Sequence, residues 1–128
     1  MAAHKPIQLE KDDRQHPVPL DWRPTFHLIS EAFRQGDFGL RDHPIENVAP
    51  VDPVVAQFIA DYISDYGDEL ASLDPATWER SIFLWMGGYW WVLVDLTTTR
   101  EPVSDLTLHA RLYDDSPPRL EIQSVHVP

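Results

Sequence analysis

Ser81–Leu96 reads SIFLWMGGYWWVLVDL. Two β-rich runs flank Gly87–Gly88, and two-residue hairpin turns need the positive φ that glycine adopts without steric cost, so the stretch predicts a β-hairpin. Around that turn Met86 opposes Tyr89, Trp85 opposes Trp90, Leu84 opposes Trp91 and Phe83 opposes Val92. Side chains alternate across a strand. Ile82, Leu84, Met86, Tyr89, Trp91 and Leu93 therefore share one face, and Phe83, Trp85, Trp90, Val92 and Val94 share the other. Both faces are apolar, whereas an antiparallel sheet with one wet side alternates with polar residues. One face is expected to receive helices. The other needs a cover, supplied by the N-terminal segment with Trp22, a second subunit, a partner protein or a ligand.

Downstream, SDLTLHARLY alternates strictly, with Leu106, Leu108, Ala110 and Leu112 on one face and Asp105, Thr107, His109 and Arg111 on the other. DDSPP is a turn. In RLEIQSVHVP the apolar phase set by Leu120 and Ile122 shifts to Val125 and Val127, which predicts a bulge near Gln123–Ser124.

Upstream the period becomes helical. Trp22, Phe26, Ile29 and Phe33 recur at four, three and four residues, and Gly36 supplies a left-handed stop, so a helix is expected over about Pro24–Gln35. Residues 37–50 read as a loop. In VDPVVAQFIADYISDYG, Asp52 is placed to cap a helix and Pro53 to occupy its first position. Val54, Val55, Phe58, Ile59, Tyr62, Ile63 and Tyr66 form its apolar stripe before Gly67 closes it. LDPATWER repeats the Asp-Pro start for a short third helix. Residues 1–24, with Pro6, Pro17, Pro19 and Pro24 among charges, read as a Pro-rich N-terminal arm. The expected fold is α+β: two N-terminal helices plus a short third packed on a four-stranded antiparallel meander, residues 25–128 forming one domain.

The 128 residues, 43% hydrophobic and 24% charged, have a globular composition. No stretch approaches the ~20 apolar residues of a membrane span. The N-terminus has no apolar leader core, and without cysteine there is no disulfide or thiolate chemistry. A cytoplasmic protein without cofactor is expected. Net charge is −11, and Asp52–Glu79 carries seven acids and no base. A field of that sign repels phosphate backbones, so nucleic acid is not an expected partner.

The ordered motifs VDPVVAQFIADYISDYGDEL, WMGGYWWVLVDLTT, SDLTL and the terminal VHVP resemble a family of small bacterial proteins of unknown function, over roughly residues 25–128. The resemblance implies no activity, cofactor or catalytic residue.

Chemistry is sparse. The histidines His4, His16, His27, His43, His109 and His126 show neither the i, i+4 helix spacing of a zinc site nor a His-x-His pair. No nucleophile elbow or phosphate-binding glycine loop occurs. Asp95, Asp105, His109 and His126 lie on or beside strands expected to neighbour one another, and an acid–base hydrolase requires them to converge. Asp61, Asp65 and Asp68 stand at i, i+4 and i+7 with Glu69 next. Like charges at that spacing cost roughly 0.2–0.5 kcal/mol per pair. A basic partner would offset that cost and be steered by it. The preferred expectation is thus a non-enzymatic interaction domain, of the kind an immunity- or antitoxin-like inhibitor of a basic toxin represents. Its candidate surface is Asp61, Asp65, Asp68, Glu69, Trp85 and Trp90, and a homodimer is the other expected use of an apolar face. The alternative is a small-molecule site walled by tryptophan.

Overall fold

A computed structural model describes residues 7–128; His4 and Pro6 lie outside the described residues. Five antiparallel strands form one sheet in sequential order: β1 His16–Pro17, β2 Ile82–Trp85, β3 Trp90–Asp95, β4 Thr107–Tyr113 and β5 Arg119–His126. Helices α1 (Arg23–Arg34) and α2 (Pro53–Tyr66) intervene between β1 and β2. The class is the expected α+β, with two differences of detail. The arm contributes a fifth strand, because His16 and Pro17 pair with Phe83 and Ile82 along the open side of β2. Proline is admissible there because an edge strand leaves one side of its backbone unpaired. The expected third helix is a 3₁₀ turn, Pro75–Glu79, which Asp74 starts by accepting the Ala76 N–H at 2.9 Å.

The hairpin has the expected register: Ile82 opposes Leu93, Phe83 opposes Val92, Leu84 opposes Trp91 and Trp85 opposes Trp90. Of the two turn residues only Gly87 has positive φ, +93°. That is the pattern of a II′ turn, whose twist matches the strands it joins. The bulge is also present: His109 opposes Ser124 while Ala110 opposes Ile122, leaving Gln123 as the extra residue. It lets Leu120, Ile122 and Val125 all face the core.

The core lies on the face that carries Phe83, Trp90, Val92 and Val94, closed by Trp22, Phe26, Ile29 and Phe33. Each large side chain taken fully out of water there contributes roughly 1.5–3 kcal/mol. The arm finishes this face. Val18 is buried, the His16 ring meets Trp90 edge-on at 6.1 Å, and the Lys11 ammonium stands 4.5 Å above Trp85. Helix α2 is capped as expected, Asp52 accepting the Val54 N–H at 2.8 Å and Gly67 turning left-handed at φ +84°. It packs along β5. No helix of the described residues is long and apolar enough to cross a membrane.

Candidate functional site

The aromatics of the outer sheet face are not left bare. The Arg111 guanidinium lies 4.7 Å from the Tyr89 ring and that of Arg119 lies 4.8 Å from Tyr113. Trp91 meets the His109 ring at 5.7 Å, and His109 stacks on His126 at 3.9 Å with the planes 8° apart. Long side chains whose stems lie on apolar surface while their charges reach water make a cover of this kind. Ile82, Leu84, Trp91 and Leu93 all end half-buried. On the second face of the hairpin Tyr89 and Trp91 are thus covered by Arg111 and His109 of β4, while Met86 stays 50% exposed.

The tryptophans do not gather around a ligand. Trp90 is sealed in the core, Trp85 is half-buried with its ring 5.3 Å from that of Trp90, and Trp91 faces the opposite side. Trp90 therefore offers no surface to a partner, although it was among the expected interaction residues. The residues expected to make an acid–base site are only partly brought together. His109 and His126 stack, but the Asp95 carboxylate is occupied by Thr107 Oγ1 at 2.9 Å and Arg80 Nε at 3.5 Å. Asp105 is exposed. Burial, followed by charge on His126, lowers the His109 pKa to about 4. Its Nε2 is buried without a hydrogen-bond partner. Among the described residues no group of three or more His, Asp or Glu side chains gathers to hold a metal ion.

The four acids divide into two kinds. Asp61 and Asp65 stand exposed on α2, Asp61 accepting a hydrogen bond from Gln57 Nε2 at 2.9 Å. Asp68 lies past the helix end, where Gly67 has turned the chain. Hydrogen bonds from the Thr98 and Thr99 hydroxyls, and from the Arg100 and Glu69 N–H groups, hold its pKa down to about 2. Asp68 thus fastens the loop after β3. Glu69 is exposed, and its carbonyl accepts the Thr99 N–H at 2.9 Å. An open cleft of about 740 Å³ beside these residues also involves Arg34 and Arg100. Arg34 is engaged there with Glu31 at 2.7 Å and Ser72 at 3.1 Å, and Asp68 with the loop after β3.

The feature that sequence reasoning missed is on α2. Its seven apolar residues form one stripe by spacing, but only Ile59 and Ile63 of them are buried. Val54 is 65% exposed, Phe58 69% and Tyr62 39%. The stripe spans roughly half the circumference at 3.6 residues per turn, more than the ~100° that one contact covers. That width was the available signal. Phe58, Asp61, Tyr62 and Asp65, at i, i+3, i+4 and i+7, share a helix face, so aromatic rings and carboxylates stand side by side. Below them a groove of about 250 Å³ separates α2 from β5, lined by Val55, Phe58, Ile59 and Tyr62 and by residues 123–126.

No curated protein and no solved structure matches the chain. Residues 30–128 match the family described as Domain of unknown function (DUF7668), and the chain belongs to that family.

Proposed function

We propose that the protein is a non-enzymatic binding domain that holds a basic protein partner on the outward face of α2. One observation carries this reading: Phe58, a large apolar side chain 69% exposed, stands beside the acids Asp61 and Asp65 on one helix face. Covering Phe58 and Val54 would contribute roughly 1.5–3 kcal/mol for each side chain wholly removed from water. The two carboxylates would speed encounter with a cationic surface and select against an acidic one. A net charge of −11 acts in the same sense. An immunity- or antitoxin-like inhibitor of a basic toxin is a form that such a domain would take in the cytoplasm.

The test is a photo-crosslinking amino acid placed at position 58 and, in a separate variant, at the exposed Leu28 on α1, in cells that express the protein natively. A discrete protein adduct is expected from position 58, absent from position 28 and lost when Asp61 and Asp65 are changed to Lys. Equal labelling from both positions, or an adduct indifferent to the charge reversal, sinks the proposal.

A further inference from the structure

We infer that the stacked pair His109 and His126 makes the α2 binding face acid-sensitive: once both rings carry protons, the His126 ring leaves the stack, Tyr62 loses the surface it rests on, and a basic partner is released. This deepens the protein-binding reading above and rests on it.

The pair is joined to that face by direct contact. Across β4 and β5 His109 opposes Ser124 and Thr107 opposes His126, so the two histidines are diagonal neighbours on the outer face of the sheet. Their rings lie 3.9 Å apart with the planes 8° from parallel. Tyr62 of α2 meets the His126 ring edge-on at 6.3 Å, and its hydroxyl accepts the Val127 N–H at 3.2 Å. Tyr62 shares a helix face with Phe58, Asp61 and Asp65. His126 also lines the groove beside Phe58 and Tyr62. A displacement of His126 is therefore felt where the partner sits.

A proton finds a partner at two other histidines and none here. His16 lies 2.8 Å from Asp12 and His43 lies 2.9 Å from Asp37, so protonation of either ring completes an ion pair. Among the described residues neither His109 nor His126 has such a carboxylate. Asp95, in line with His126 across β3 to β5, is taken by Thr107 Oγ1 at 2.9 Å and Arg80 Nε at 3.5 Å. Two residues along β4 from His109 stands a further cation, Arg111, opposite Glu121 of β5. From α2 the Tyr62 phenol meets the pair, with Asp61 and Asp65 exposed beside it.

A protonated His126 keeps an acceptor, Ser124 Oγ at 2.9 Å from its Nδ1. The Nε2 of His109 is buried and has none. A second proton thus sets two cations face to face around an unpaired donor, which is why burial and the charge on His126 hold the His109 pKa down to about 4. His109 is fixed, 6% exposed with Trp91 at 5.7 Å, whereas His126 is half-buried at the end of β5. The ring that moves is His126. Parting the rings returns His109 toward its ordinary 6.5, so the open form gains weight as pH falls from about 6.5 toward 4. Turned out, His126 is a cation at the groove and repels the basic side chains that Asp61 and Asp65 attract.

The test takes two readouts on the full chain between pH 7.5 and 5.0. NMR of the protein alone follows the His109 and His126 rings, the Tyr62 ring and the Val127 amide. The adduct from the photo-crosslinker at position 58 is quantified in lysate of the same cells, buffered at each pH, for the parent, His109→Leu and His126→Phe. The Tyr62 and Val127 signals are expected to move with the histidine titration, and the parent's adduct yield to fall about tenfold. Neither variant can place two cations in the stack, so both should hold their yield. His126→Phe keeps a ring under Tyr62 and serves if His109→Leu packs poorly. Tyr62 and Val127 signals that ignore the titration overturn the switch and leave the binding face standing. Signals that move without a change in yield, or a yield that falls equally in parent and variants, overturn the regulation alone. No adduct at any pH removes the binding reading and this inference with it.

Discussion

Acidification should destabilise this protein through one residue. His109 is 6% exposed on β4, stacked on His126, with Trp91 beside it and Tyr62 packed edge-on against His126 at 6.3 Å. Burial first, and charge on His126 second, lower its pKa from 6.5 to about 4. The folded protein thus refuses a proton that the unfolded chain accepts near pH 6.5. Stability falls as pH drops from about 6.5 and stops falling from this source near pH 4, where the native ring also protonates. At ~1.4 kcal/mol per pH unit the ceiling is about 3 kcal/mol. The rim of the stack is wet, so about 1–2 kcal/mol is the expected effect after screening. Urea unfolding followed by tryptophan fluorescence at pH 7, 6, 5 and 4.5 reads this directly. His109→Leu should flatten the slope between pH 6.5 and 4.5, and comparison with the parent cancels the histidines that do not touch it, His126 being stacked on it. Asp68 does not confuse the window: held at about 2, its contribution is complete above its unfolded value of 3.8 and is lost only as pH falls toward 2. Parallel pH profiles for the parent and His109→Leu would refute the assignment.

Further expectations concern packing, the turn and the loop. Phe83→Ala, on the core face of β2, should cost about 3–5 kcal/mol, while Phe58→Ala should stay within about 0.5 kcal/mol; equal losses in denaturant titrations would show that Phe58 is core. Gly87→Ala, at φ +93°, should cost about 1–2 kcal/mol, and Gly88→Ala distinctly less, since no positive φ is demanded there; thermal melts that rank them the other way contradict the turn. Asp68→Ala should speed hydrogen exchange at the Arg100 amide, which donates to that carboxylate at 3.2 Å. Unchanged protection would mean that the loop is held by other contacts.

The elements legible in the sequence were those fixed locally. Gly87–Gly88 left one turn length and hence one register, the phase change between Ile122 and Val125 demanded a bulge, and Asp52-Pro53 with Gly67 bounded α2. What was not legible depends on distant partners. A two-residue strand containing Pro17 has no periodicity to read and exists because β2 offers it an edge. Part of the cover on the outer sheet face comes from Arg111, which reaches the Tyr89 ring from another strand. Of the candidate surface, Asp61 and Asp65 stand exposed on α2, but Asp68 is drawn off by Thr98 and Thr99, whose approach no helical wheel contains. Phe58 was visible as part of an apolar stripe but not as exposed, because spacing says which residues share a face and not how much of that face the sheet reaches.

The central claim is that the Phe58 face is kept for a different protein rather than for a second copy, and solution mass at low and high salt tests it most directly. A monomer of 14.8 kDa is expected at both salt concentrations, unchanged by Phe58→Glu. A dimer that strengthens with salt, as screening relieves the opposed acids, and that Phe58→Glu dissociates would contradict it and assign the face to self-association.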